Sequence, residues 1–261
     1  MNLSLEGKSA IVCGSTQGIG KAIAEELALL GASCTLLARN EQALKEVSGS
    51  LNRTKSQEHG YLVVDFNQPA ELKKIFGEFM TGRSVHILVN NTGGPPAGPI
   101  IEASEEAFLQ TFNQHLVCNH ILAKTVIPAM KKEEYGRIIN IISTSVRIPL
   151  KNLGVSNTIR GAVASWAKTM SNELGQFNIT VNNVLPGFTR TQRLETLIKN
   201  IAAARSISTS DVERDMQEEV PMKRFGESAE VAAMAAFLAS PAASYVNGVS
   251  IAVDGGRTGT T

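Results

Sequence analysis

Near its N-terminus the chain reads Gly14-Ser15-Thr16-Gln17-Gly18-Ile19-Gly20, directly after the apolar run Ala10-Ile11-Val12-Cys13. Bare backbone at three glycines lets a pyrophosphate approach free N–H groups, and a helix starting just beyond aims its positive dipole end at that charge. A plain tight turn is the other reading of these glycines, but the strand signal before and the helix signal after favour a dinucleotide cradle. The second apolar run ends in Ala38-Arg39-Asn40, where the two ribose hydroxyls of NAD call for an acidic residue. Arg39 offers instead a permanently charged, bidentate partner for the extra phosphate of NADP, a solvated strand-end arginine being the alternative. Asp65, closing the third run with Phe66 beside it, can accept from an adenine amino group or cap a turn.

No metal chemistry is encoded. Cys13, Cys34 and Cys118 are far apart and form no C-x-x-C pair, so they read as small apolar fillers rather than as a disulfide framework or zinc site. Lys and Arg number 25 against 24 Asp and Glu, so any long-range pull toward nucleic acid or anionic lipid is weak. An apolar content of 43% argues against disorder. No apolar run reaches the roughly 18 residues of a membrane helix, and the opening residues lack a signal peptide's apolar stretch. A cytoplasmic protein acting on a small molecule is expected, with neither membrane nor nucleic acid as partner.

These residues need positioning elements, and the chain supplies them in alternation. Short runs rich in Val, Ile and Leu recur at 9–14, 34–39, 61–66, 86–91, 137–143, 179–185 and 249–254, as expected for strands buried on both faces. Helical spacing fills the intervals at 21–30, 41–51, 70–80, 105–130, 157–174 and 229–239. Strand followed by helix, repeated, predicts an α/β fold: one Rossmann-type doubly wound domain over 1–261, with a seven-stranded parallel sheet and helices on both faces. Ligands then bind beyond the carboxyl ends of the strands. Only 189–225 breaks the rhythm; polar and long for a connection, it reads as a lid or substrate loop, or as a solvated insertion.

With these motifs in place, the chain resembles the short-chain dehydrogenase/reductase family, in particular its 3-oxoacyl-carrier-protein reductases. The likeness runs nearly end to end, through 14–20, Asn90-Asn91-Thr92-Gly93, Asn140-Ile141-Ile142-Ser143, Asn183-Val184-Leu185-Pro186-Gly187 and Val253-Asp254-Gly255-Gly256. It implies a nicotinamide cofactor, carbonyl or alcohol redox chemistry and a homo-oligomer, usually a homotetramer. By the same resemblance Asn91, Thr92 and Gly93 lie along the cofactor, Pro186, Gly187 and Thr191 near the nicotinamide, and Ser143 at the substrate oxygen. Gln17 departs from the pattern, since many NADP-preferring relatives carry a basic residue in that stretch.

The resemblance breaks at the catalytic positions. A Tyr and, four residues later, a Lys are expected about thirteen residues after the serine; here they are Ser156 and Arg160. The three tyrosines, Tyr61, Tyr135 and Tyr245, are followed at that spacing by Asp65, Ile139 and Val249, so no register shift restores the pair. The family's helix asparagine aligns with His115. Reducing a carbonyl needs a hydride and a proton for the developing alkoxide, and a serine is too weak an acid to replace the phenol. Arg160 can hold the nicotinamide ribose and lend charge to an oxyanion but does not exchange protons. His115, ordinarily titrating near 6.5, is the candidate proton carrier, or else a packed helix histidine. The same resemblance implies Arg147, Arg190 and Arg193 around the cleft, which hints at an anionic substrate, solvated arginines on loops being the equal alternative.

The reading is therefore an NADP(H)-dependent oxidoreductase with an atypical catalytic set, NADPH being preferred to NADH. Two alternatives stay open: an inactive NADP-binding sensor, and a dehydratase or isomerase on the same scaffold. The Ala-rich helix at 229–239 is expected to mediate self-association into a dimer or tetramer.

Overall fold

A computed structural model describes residues 1–259. Seven strands form one parallel sheet: β1 (Ser9–Cys13), β2 (Ser33–Ala38), β3 (Gly60–Val63), β4 (Ile87–Asn90), β5 (Gly136–Ile141), β6 (Ile179–Pro186) and β7 (Ser250–Val253). Their order is β3-β2-β1-β4-β5-β6-β7, so the chain reverses direction across the sheet between β1 and β4 and opens a crevice there. Alternate residues of each strand feed two cores. Ala10, Val12, Leu36, Ile87 and Val89 face α1 (Gly18–Leu29), α2 (Glu41–Ser50) and α9 (Ser228–Ala239). Ile11, Cys13, Leu37, Leu88 and Ile138 face α3 (Pro69–Phe79), α5 (Cys118–Lys132) and α6 (Gly154–Leu174). Both faces being covered explains why the strands lack polar alternation.

Most boundaries fall within a few residues of expectation, and the differences are informative. The first helix starts at Gly18 rather than near Lys21, so two of the motif's glycines lie inside its first turn. β3 stops at Val63, leaving Asp65 and Phe66 in the connection beyond it. The expected helix over 105–130 is α4 (Glu105–Phe112), a π-helical turn at Asn113–Val117, and α5; His115 sits in that turn. The segment 189–225 is not a loop: α7 (Gln192–Arg205) and α8 (Thr209–Glu218) pack Leu194, Ile198, Val212 and Met216 with Phe225 into a core of their own. Its polar sequence hid two short amphipathic helices.

The Ala-rich helix packs one of its faces inside the chain. Val231, Ala232, Ala235 and Ala236 of α9 are buried against α1, whose own small residues Ala24 and Ala28 allow close approach. Its other face, with Ala229 and Ala233 exposed and Met234 and Phe237 half-buried, lies at the surface. All three cysteines are buried, and burial pushes the thiols of Cys34 and Cys118 up to about 12, in keeping with apolar fillers. Among the described residues no helix is long and apolar enough to cross a membrane.

Candidate functional site

At the carboxyl ends of the strands lies a cavity of about 620 Å³. One half is made of backbone. Gly14 and Gly18 adopt φ of +57° and +54°, a region that costs an L side chain. Gly20 is ordinary in φ, but a Cβ there would lie 2.1 Å from the carbonyl oxygen of Gly14. Asn91, just past β4, donates from Nδ2 to the Cys13 and Gly14 carbonyls at 3.2 Å each, tying the loop to the next strand. The α1 N-terminus has no side-chain cap. Its free N–H groups face the cavity through Gly18 and Ile19, so the loop can hold a diphosphate. Ser15 is fully buried beneath it with an unpartnered Oγ. Arg39 lines the outer end, exposed and without an ion-pair partner among the described residues.

The other half is made of side chains. Behind it Asn90, Asn140, Asn183 and Ser250 stand in register on four adjacent strands. Their side chains bond in series at 2.8, 2.9 and 3.0 Å, each amide donating to the next residue. This buried rung locks the strand ends that carry Asn91 and Ser143. Ser143, the N-cap of a short turn, accepts from the Ser145 N–H at 3.1 Å. From α6 the buried Arg160 donates through Nη1 to the carbonyls of Ile141 and Ile142 at 3.1 and 2.9 Å, and through Nε to Ser156 Oγ at 3.3 Å. Ser143, Ser156 and Arg160 are thus brought together on the cavity wall. Burial, and after it the nearby Arg193, lower the Arg160 pKa to about 10, which leaves it charged at neutral pH.

His115 stands behind the wall rather than on it. Its Nδ1 is 2.7 Å from Thr92 Oγ1, and its Nε2 is buried without a partner. Burial first, then the charge of Arg160, push its pKa down to about 3. Burial disfavours the charged imidazole and the neighbouring guanidinium adds to the penalty, which speaks against the expected titration near neutrality.

Across the mouth, Arg193 of α7 donates to the carbonyls of Gly94 at 2.8 Å and Pro95 at 3.2 Å. Thr191 caps the same helix, and its methyl group would lie 3.2 Å from a Cβ on Gly18. The helical segment therefore rests on both halves of the site. Of the three arginines expected at the cleft, only Arg193 lines it. Arg190 is turned away to Glu213 and Glu227, and Arg147 to the Ser250 carbonyl. Ser143, Ser156, Arg160, Gly14, Thr16, Gln17, Gly18, Ile19, Arg39, Asp65, Phe66, Asn91, Thr92, Gly93, Pro186, Gly187 and Thr191 all line the cavity, whereas Ser15, Gly20 and His115 lie behind its surface. Asp65 accepts from Asn67, an Asx turn that also orients it. Sequence reasoning missed Arg257, which lines the cavity between Phe188 and Glu219, and the asparagine rung. The rung's signal was a polar residue in each of four apolar strands, but strand order and register are needed to read it.

A family profile described as enoyl-(acyl carrier protein) reductase matches residues 14–258. The chain is 35% identical over 253 residues to the NADPH-dependent reductase BacG of Bacillus subtilis (strain 168), covering 95% of this chain and 97% of that protein. It is 31% identical over 255 residues to the 3-oxoacyl-acyl-carrier-protein reductase FabG of Haemophilus influenzae, covering 97% and 98% of the two chains. The crystal structure of L-sorbose reductase from Gluconobacter frateurii, complexed with NADPH and L-sorbose, superposes with a TM-score of 0.93 at 30% identity, covering 100% of both chains.

Proposed function

The chain belongs to the short-chain dehydrogenase/reductase family, and we propose that it is an NADPH-dependent reductase of a carbonyl compound in which a guanidinium replaces the family's phenol as the group facing the oxygen. The observation that carries this reading is Arg160. Its Nη1 and Nε are committed to Ile141, Ile142 and Ser156, which fixes the guanidinium plane beside Ser143 with its remaining N–H groups free for the cavity.

Residues 14–20 fit a dinucleotide's diphosphate because side chains are excluded where it would lie, and Arg39 fits the additional phosphate of NADP. Asp65, Asn91, Thr92, Gly93, Pro186, Gly187 and Thr191 line the path between them and Ser143. The nicotinamide supplies the hydride when bound. The chain's own work is then electrostatic: Ser143 and Arg160 hold the carbonyl oxygen and stabilise the negative charge that grows on it. Ser156 accepts from Arg160 and keeps it in place. His115, neutral and shielded behind Thr92, aligns that wall without exchanging protons. The proton that completes the alcohol comes from water. The helical pair α7–α8 acts as a lid through Thr191 and Arg193. Ile101, 90% exposed, and Leu109, 64% exposed, leave an apolar strip beside α4 that supports a homo-oligomer.

The test is the near-ultraviolet absorbance of NADPH during incubation with a broad panel of carbonyl compounds. The expected result is NADPH consumption matched mole for mole by alcohol. Tight NADPH binding with no consumption on any member would replace this reading with a sensor, and substrate conversion at constant absorbance would replace it with a dehydratase or isomerase.

A further inference from the structure

Four arginines line the cavity, and their charges are balanced unequally. Arg257 is paired with Glu219 at 2.7 Å. Arg39 lies at the outer end, past β2, in reach of a cofactor phosphate. Arg160 and Arg193 have no carboxylate within 4.0 Å among the described residues, and every oxygen they contact belongs to a neutral carbonyl or hydroxyl. Among the described residues the only carboxylate on the wall is Asp65, which is engaged with Asn67. Arg160, 8% exposed, and Arg193, across the mouth, thus face one cavity without a counter-charge; burial lowers the pKa of both, and the charge of Arg193 adds to the lowering at Arg160. Such an arrangement is unfavourable unless an anion completes it.

The cofactor's own anionic groups are accounted for elsewhere. The diphosphate cradle lies at β1 and Arg39 at β2, whereas Arg160 binds the end of β5, two strand spacings beyond β1 and so about 10 Å away. Beside the two guanidiniums the wall is apolar, with Leu150, Leu153, Phe188, Leu194 and Leu197. Gly94 belongs to the same device: a Cβ there would lie 2.7 Å from Arg193 Nη2, so only glycine lets that guanidinium lie across the mouth.

Building on the reductase reading, we infer that the substrate is a carboxylate-bearing carbonyl compound with an apolar body, its carboxylate held by Arg193 at the lid and its carbonyl oxygen by Arg160. Arg193 then serves as the specificity residue. It exchanges part of its bonding to Gly94 and Pro95 for a fork-to-carboxylate pair, which closes the lid on an acid and not on a neutral analogue.

Two arms test this. In the first, calorimetry measures hexanoate and hexanamide binding to the protein saturated with NADP⁺. Hexanoate should bind at least about tenfold more tightly than hexanamide, and Arg193→Gln should remove most of the difference, with Arg193→Lys intermediate. Equal binding of acid and amide overturns the inference. So does hexanoate that competes with NADP⁺ instead of joining it, since the charge pair would then serve the cofactor's diphosphate. In the second arm a γ-keto acid is compared with its methyl ester as substrate. The acid should show a kcat/KM about 100-fold higher, falling at least tenfold relative to the ester in Arg193→Gln. Preference for the ester overturns the inference. Arg193-dependent hexanoate binding without turnover of any carbonyl compound would instead reject the reductase reading and leave the anion site standing.

Discussion

The two halves of the cavity are built from different materials. Around β1 and α1 the wall is backbone: glycines at 14, 18 and 20, an uncapped helix and one asparagine that staples the loop. Around β5 and α6 it is side chains: Ser143, Ser156 and Arg160 over a buried asparagine rung. A backbone site tolerates almost no change, because its ligand contacts are the chain itself. A side-chain site can be rewritten while its scaffold stays intact. On the proposed reading this molecule keeps the first and carries Ser156 and Arg160 in the second, so cofactor binding and proton chemistry would part company on one fold.

Breaking the backbone half should have the largest effect. Gly20→Ala places a methyl group 2.1 Å from the Gly14 carbonyl oxygen, which cannot yield without moving β1 or α1. NADPH binding, followed by fluorescence titration, should weaken by more than about 10³-fold, well beyond the loss of a single hydrogen bond. Next comes the side-chain half. Arg160→Met removes the oxyanion's charged partner and should lower turnover by about 10² to 10³ with the chain still folded by circular dichroism. Retained turnover in that variant would show that the guanidinium is not the working group.

His115 sharpens the comparison through stability. Its folded pKa of about 3 lies below the ordinary histidine value of 6.5, so the unfolded chain binds the proton first. The stability it permits is present above pH 6.5 and is lost as pH falls toward 3, by about 2 kcal/mol at pH 5. His115→Asn should lose that much less stability than the parent between about pH 7 and 5 in urea melts, and an unchanged pH dependence would mean the imidazole is not buried neutral. The smallest effect belongs to Arg39 at the rim. Arg39→Ala should reduce the preference for NADPH over NADH by about tenfold, or 1.4 kcal/mol, in dissociation constants.

The contrast also explains what could be read from the sequence. Strand and helix alternation, and the glycine loop between β1 and α1, are local signals, because backbone conformation leaves its mark on residue type. Gly14, Gly18 and Gly20 announce themselves. Ser156 and Arg160, where the family resemblance calls for Tyr and Lys, were equally visible, but their surroundings were not. Arg160 reaches Ile141 and Ile142 across eighteen or more residues, and the pKa of His115 is pushed down by burial first and by that charge second. Both facts depend on tertiary approach. Arg190 and Arg193, three residues apart, show the same limit: one ends in a salt bridge with Glu213, the other across the mouth of the cavity. The helices α7 and α8 were hidden because their apolar faces form a small satellite core with Phe188 and Phe225, apart from the two main cores.

The central claim is that Arg160 acts as a fixed positive charge and that no side chain delivers the proton, so the most direct measurement is the pH dependence of kcat/KM for NADPH-dependent reduction of the best substrate in the carbonyl panel. With His115 neutral above about 3 and Arg160 charged below about 10, the profile should be flat from about pH 5 to 9 and fall above it. A limb with an apparent pKa between about 6 and 8, abolished in His115→Asn, would contradict the account and restore a histidine as the proton carrier.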